Sequence, residues 1–246
     1  MNSMYGLSES GAPRSSIKIL VLGGNGFVGS HVCQEALAQG FSVASLSRSG
    51  RPSIHESWAD EVQWYKGNLL EPESLKHAMS EATVVVSCVG GFGSRTHMLT
   101  LNGTANINAV QVAAENGVKR FVYISGLSFG LLDYCIRGYH EGQKATEAEL
   151  TKRFPDGAVI LRPGYIYGTR PIGPLKIRFG LMWKPFELAY QNARPLRKIP
   201  LIGPFFTPTV NVAKVAKVVV RSATDPGFFS SGMIDVYNII RLAKQK

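Results

Sequence analysis

The sequence predicts an α/β protein: a doubly wound parallel sheet with a smaller lobe in its C-terminal third. Three observations predict it. β-rich runs, apolar nearly throughout, alternate with stretches of helical periodicity; a glycine cluster joins the first such run to the first helix; and 45% of the 246 residues are hydrophobic, enough to bury a sizeable core. Strands apolar on both faces belong to a sheet covered by helices on both sides.

Residues 1–16 carry Ser, Gly, Pro and Glu9 without an apolar centre, and read as a flexible N-terminal tail rather than a secretory signal. The sheet domain is expected over 17–165. Its first strand, 17–22, runs into Gly23-Gly24-Asn25-Gly26-Phe27-Val28-Gly29 and leaves as a helix over 27–39. Strand, glycines and helix in that order form a dinucleotide-binding turn. Gly23 turns the chain off the strand, Gly26 admits a pyrophosphate to the backbone, and Gly29 lets helix and strand pack closely. The N–H groups and positive dipole end of the helix then meet the phosphates.

The second strand, 41–46, ends in Ser47-Arg48-Ser49-Gly50-Arg51. A chain that reads NAD places an acid about 20 residues beyond the glycines, on the ribose 2′-hydroxyl. None stands here, and Arg48 and Arg51 suit a 2′-phosphate instead, so NADP(H) is expected over NAD(H). The third strand, 62–65, leads to Asn68 and Leu69, where an adenine edge is expected. A helix over 73–80 follows. The fourth strand, 83–88, ends in Cys88-Val89-Gly90-Gly91, glycine-rich where the backbone would pass close to the cofactor. Cys88 reads as a small buried residue rather than a nucleophile, since no cation lies beside it. A helix over 98–116, a strand over 120–125, a helix over 139–152 and a strand over 158–161 complete the alternation. Beyond the lobe's first half, Val212, Val215, Ala216 and Val219 mark a closing helix, and 232–239 a short last strand.

The net charge of +10 is concentrated. Residues 1–165 hold 14 basic and 14 acidic residues, whereas 166–221 hold 10 basic residues against Glu187 alone. Such a lobe suggests an anionic neighbour: cofactor phosphate, an acidic protein face or lipid headgroups. Within it, 171–190 interleaves apolar and aromatic residues with Lys and Arg. That composition fits a lid over an apolar substrate, a face on anionic lipid, or a small helical subdomain burying Trp183 and Phe186. Nucleic acid is not expected, because no recognised binding motif accompanies the charge. Cys33, Cys88 and Cys135 are too few and too dispersed for a zinc site or a disulfide framework, and fit a reducing compartment. No apolar run is long enough to cross a bilayer, the best being broken at Lys184-Pro185.

The glycine turn, Asn102-Gly103-Thr104, 117–125, the helix at Tyr139, Leu161-Arg162-Pro163-Gly164-Tyr165-Ile166-Tyr167-Gly168 and 209–213 occur in order. Together they resemble extended and atypical short-chain dehydrogenases/reductases with a Rossmann sheet, over 17 to about 240. The likeness is nearest to an atypical mitochondrial group that includes an NAD(P)H-binding accessory subunit of respiratory complex I and a ubiquinone-biosynthesis protein, with plant relatives in organelles. The resemblance assigns Gly23, Gly26 and Gly29 to the pyrophosphate, Arg48 to the 2′-phosphate, Asn68 and Leu69 to adenine, Val89 to Gly91 to the ribose side, and Pro163 and Gly164 to the nicotinamide. It implies Ser125, or Ser128 in another register, as catalytic serine.

The family's Tyr-x-x-x-Lys sets phenol and ammonium on one helix face. Here Tyr139 is followed by Gln143 at the lysine position, with Lys144 rotated about 100° away. The alternative register pairs His140 with Lys144, and a surface position is the commoner outcome for such a histidine. Two functions follow. One is an NADP(H)-binding accessory, assembly or cofactor-sensing component of organellar respiratory or quinone metabolism, with weak or absent turnover. It would meet a membrane or a respiratory or quinone-pathway complex through the basic lobe, in a mitochondrion by resemblance or otherwise a plastid. The other is an active NADPH-dependent reductase of an apolar carbonyl or quinone.

Overall fold

The computed structural model describes residues 16–52, 56–127, 133–172, 175–179 and 207–245. Among these, β1 (Lys18–Leu22), α1 (Phe27–Ala38), β2 (Ser42–Ser47), β3 (Gln63–Lys66), α2 (Glu73–Ser80) and β4 (Val84–Ser87) form the first half. Then come α3 (Arg95–Leu99), a π-helical turn (Thr100–Thr104), α4 (Ala105–Glu115), β5 (Arg120–Ile124), α5 (Arg137–Arg153) and β6 (Ala158–Arg162). The chain closes with β7 (Tyr165–Ile172), β8 (Leu175–Phe179), β9 (Thr209–Asn211), α6 (Val212–Thr224), β10 (Gly232–Asp235) and α7 (Val236–Leu242).

Seven strands make one parallel sheet in the order β10-β6-β5-β4-β1-β2-β3. The chain winds outward from β1 to β3, returns to β4, and winds outward the other way. The order therefore reverses between β1 and β4, where the strand ends leave a crevice for a ligand. Alternation along β1 shows why its sequence is apolar throughout. Ile19 and Val21 enter a cluster with Val32, Cys33 and Ala36 of α1 and Val215 and Val219 of α6. Leu20 and Leu22 enter the opposite cluster with Leu75 and Met79 of α2 and Ala109 and Ala113 of α4. Successive side chains of a strand point to opposite faces, so each of these four is buried, each worth about 1.5–3 kcal/mol.

The seventh strand comes from inside the segment expected as the C-terminal lobe. β10 pairs with β6, and α6 packs on the α1 side of the sheet. Only 232–235 of the expected last strand is extended; Asp235 then caps α7 by accepting from Asn238 N at 2.8 Å. The helix expected over 98–116 begins earlier, at Arg95, where the Ser94 hydroxyl accepts from His97 N, and it is interrupted by the π turn. A second sheet, β8-β7-β9, had no counterpart among the expected elements; β7 pairs antiparallel with β8 and parallel with β9. Its pairing of 165–167 with 209–211 joins distant stretches, which local periodicity does not report.

Two of the lobe's basic residues have structural work. Lys217 donates from Nζ to the carbonyls of Ala243 (3.3 Å) and Gln245 (3.0 Å), and Arg221 from Nη1 to Gln245 (3.2 Å), so both satisfy carbonyls past the end of α7. The expected lid or lipid-facing stretch, including Trp183, Lys184, Phe186 and Glu187, lies largely outside the described residues. No helix among the described residues is long and apolar enough to cross a membrane.

Candidate functional site

The glycine turn leaves β1 at the crevice. Gly23 has φ +80°, and its N–H donates to Leu46 O at 2.8 Å; Gly26 N donates back to Gly23 O at 2.9 Å. That φ is the left-handed region that favours glycine. A Cβ on Gly29 would collide with the Gly23 carbonyl, so α1 starts hard against the turn only because residue 29 has none. Gly24 is bound inward, its N–H donating to Ser45 Oγ at 3.1 Å. No side chain caps α1 at Gly26 and no acid sits in its first turn, so its leading N–H groups suit an anionic oxygen. Phe27 and Val28 are half-buried, Val28 against the core.

The β2 exit forms one rim. Ser47 is buried, its hydroxyl donating to Gly50 O at 2.9 Å, and Asn25 reaches across from the glycine turn to donate to Ser49 Oγ at 2.7 Å. Arg48 between them is exposed and makes no ion pair among the described residues. Arg51 differs: it is paired with Asp60, both exposed, so it meets a phosphate only by leaving that carboxylate. Asn68 is likewise engaged. Its Nδ2 donates to Glu71 Oε1 at 2.9 Å and its Oδ1 accepts from Leu70 N at 3.1 Å, closing a turn ahead of α2. Leu69 is buried, and its carbonyl accepts from Asn108 at 3.0 Å.

The β4 exit forms the other rim, and two fully buried asparagines shape it. Asn102 Oδ1 accepts from Gly91 N at 3.1 Å while its Nδ2 donates to Gly91 O and Met98 O, both at 2.8 Å. Asn106 Nδ2 donates to Val89 O at 3.1 Å, and its Oδ1 accepts from Ser87 Oγ at 2.6 Å. Val89, Gly90 and Gly91 are thus held beside Gly23, whose Cβ, if present, would lie 3.2 Å from Val89 Cγ2. The π turn contributes as well: the Asn102 carbonyl accepts from Thr146 Oγ1 at 2.8 Å and from Tyr123 OH at 3.3 Å. Sequence reasoning noted Asn102 only within the resemblance and gave Asn106 no role; their spacing of one helical turn was the available signal. Burial pushes the Cys88 thiol up to about 12, so it stays protonated.

Past this rim lie the residues expected to carry acid chemistry. Ser125 is buried and its hydroxyl donates to Glu147 Oε1 at 2.6 Å; Arg162 grips the same carboxylate with Nε at 3.0 Å and with Nη2. Tyr139 stacks with Phe92, ring centroids 4.6 Å apart, while Phe92 itself is 65% exposed. Gln143 is buried beside the Tyr139 phenol, and Lys144 is exposed. His140 is buried rather than on the surface, with Nε2 2.9 Å from Asp133 Oδ1. Pro163 is buried, and Gly164 has φ +69° between β6 and β7. Ser128 lies outside the described residues. No cluster of metal-binding type occurs among the described residues.

The family described as NAD(P)H-binding matches residues 23–177, from the glycine turn into β8. The chain belongs to that family. A chloroplastic, uncharacterised protein of Arabidopsis thaliana is 39% identical over 87% of this chain and 74% of its own length. MIOREX complex component 2 of Saccharomyces cerevisiae is 26% identical over 91% of this chain and 99% of its own. Photosystem II assembly factor Ycf39 of Synechocystis is 25% identical over 74% and 56%. Among solved structures, the Bordetella bronchiseptica enzyme WbmH in complex with NAD+ superposes with a TM-score of 0.61 at 16% identity, over 89% of this chain and 74% of that one. The Rossmann-type, dinucleotide-binding sheet read from the sequence is therefore upheld.

Tyr139, expected from the sequence as an acid, lies beside Gln143 and has no cation of its own helix next to it. Burial raises the phenol's pKa, and the Gln143 amide opposes that only by hydrogen bonding. A cation about 4 Å away would be worth about 4 kcal/mol at an effective dielectric near 20. A neutral amide supplies no such attraction, so burial leaves the phenol a weaker acid than an ordinary tyrosine.

Proposed function

We propose that this NAD(P)H-binding protein holds NADP(H) as an accessory, assembly or cofactor-sensing component of organellar respiratory or quinone metabolism, with weak or absent turnover. The observation that carries the reading is the Tyr139 neighbourhood: a buried neutral Gln143 beside the phenol, Lys144 out in solvent, and the Ser125 hydroxyl committed to Glu147. In this reading the dinucleotide lies across the β1–β4 crevice. Its diphosphate meets Gly23 to Gly29 and its 2′-phosphate meets Arg48, seated between Ser47 and Ser49. Leu69 flanks adenine; Val89 to Gly91 line the ribose, and Pro163 and Gly164 the nicotinamide.

The names of the relatives support an accessory role: one is a complex component and one an assembly factor. The chloroplastic Arabidopsis relative supports an organellar setting, a mitochondrion by resemblance or otherwise a plastid. The basic lobe over 166–221 is proposed to meet the membrane or complex. Calorimetry with NADPH and NADH, followed by NADPH oxidation across aldehydes, ketones and quinones, tests the reading. Binding of NADPH with negligible oxidation supports it; rapid oxidation of any of these acceptors replaces it with the NADPH-dependent reductase.

A further inference from the structure

The position that faces the Tyr139 phenol is 126 and not 125. A Cβ built on Gly126 would lie 2.7 Å from Gln143 Oε1, 2.8 Å from Tyr139 Cε1 and 2.9 Å from the Tyr139 hydroxyl oxygen. One residue earlier, the Ser125 hydroxyl is taken by Glu147 at 2.6 Å. Gln143 is 4% exposed, and its Oε1 has no hydrogen-bond donor among the described residues. Gly126 has no positive φ, so its backbone accepts a side chain; the volume beside it does not.

We propose that Gly126 and Gln143 are a coupled pair that keeps Tyr139 from acting as an acid, so that restoring acid chemistry requires changing both. The inference rests on the reading above that the site holds a dinucleotide. A side chain at 126 meets both the Gln143 amide and the edge of the Tyr139 ring, so by itself it displaces the amide and crowds the phenol. A cation at 143 by itself draws the phenol's pKa down but leaves no hydroxyl beside it to orient its proton. With both present, the flexible lysine leaves its ammonium to stabilise the phenolate, and a small shift of the Tyr139 ring seats the hydroxyl beside it. Tyr139 then gives its proton to the oxygen of a carbonyl whose carbon takes a hydride from the reduced dinucleotide. An alcohol and the oxidised dinucleotide leave, and water reprotonates the phenolate.

The test compares Gly126→Ser, Gln143→Lys and the double variant, each checked for folding by thermal unfolding and for NADPH binding by calorimetry. Two quantities are read: NADPH oxidation over a panel of aldehydes, ketones and quinones, and titration of Tyr139 by ζ-carbon NMR, assigned with Tyr139→Phe. Each single variant is expected to gain less than about threefold, and the double at least about tenfold beyond their product, as coupled neighbours do. Tyr139 in the double is expected to titrate at lower pH than in wild type, and Gly126→Ala with Gln143→Lys, which adds the Cβ without the hydroxyl, to show no such gain. Gln143→Lys alone matching the double overturns the proposal. So does a folded, NADPH-binding double with no gain and an unmoved Tyr139. A wild-type protein that binds neither NADPH nor NADH removes instead the reading on which the inference rests.

Discussion

Asn102 brackets Gly91 from both sides, accepting from its N–H at 3.1 Å and donating to its carbonyl at 2.8 Å. One side chain on a helix thereby sets the path of the loop that follows β4, opposite the glycine turn. Replacing it with leucine leaves the Gly91 amide without a partner and deprives two carbonyls of a donor. At about 1–3 kcal/mol for a buried unsatisfied group, a loss of at least about 2 kcal/mol is expected. Denaturant unfolding should record it, with weaker NADPH binding in calorimetry. A variant with unchanged stability would show that the bracket is incidental.

Arg48 and Arg51 are expected to behave differently. Arg48→Ala should weaken NADPH binding roughly tenfold to a hundredfold, from the loss of charge-assisted hydrogen bonds to a phosphate, and leave NADH nearly untouched. Arg51→Ala should do much less, because its guanidinium is already held by Asp60. Equal losses for both coenzymes would remove the 2′-phosphate assignment.

The thiols give a direct check on burial. Cys135 is exposed, whereas burial pushes the Cys88 thiol up to about 12 and raises that of Cys33 further. Only thiolates react quickly with a disulfide reagent. Titration near pH 8 should release one equivalent from native protein and all three after denaturation. Fast release of a second equivalent from native protein would contradict the packing around Cys33 and Cys88.

His140 makes stability depend on pH. Burial, helped by the Lys144 and Arg162 charges, lowers its pKa below the ordinary histidine value against the opposing pull of Asp133. A pKa lower in the folded than in the unfolded state means that unfolding takes up a proton between the two values. The contribution is therefore fully present above the unfolded value, near 6.5, and is lost as pH falls through the folded value. Wild-type melting temperature should drop between about pH 7 and 5 by more than that of His140→Gln. Parallel curves would exclude His140 as the source.

Much of this molecule was legible because local spacing encodes it. The three-residue interval of Gly23, Gly26 and Gly29, the alternation of apolar runs with helical periods, and the place of Gln143 one turn after Tyr139 each depend on a few consecutive residues. Backbone sterics and helix geometry act over that same short range. Tertiary structure alone decided which groups are already occupied. Ser125 carries a plausible hydroxyl until Glu147 of α5, itself held by Arg162 of β6, accepts from it. Arg51 resembles Arg48 until Asp60 pairs with it, and Gly126 looks like a spacer until α5 sets Tyr139 and Gln143 against its Cα. β10 joins the sheet only because β6 offers an open edge to it. The physical reason is common to all four: a hydrogen bond, an ion pair or a filled volume depends on which atoms meet in space, and in each of these the partner lies too far along the chain for local pattern to reveal it.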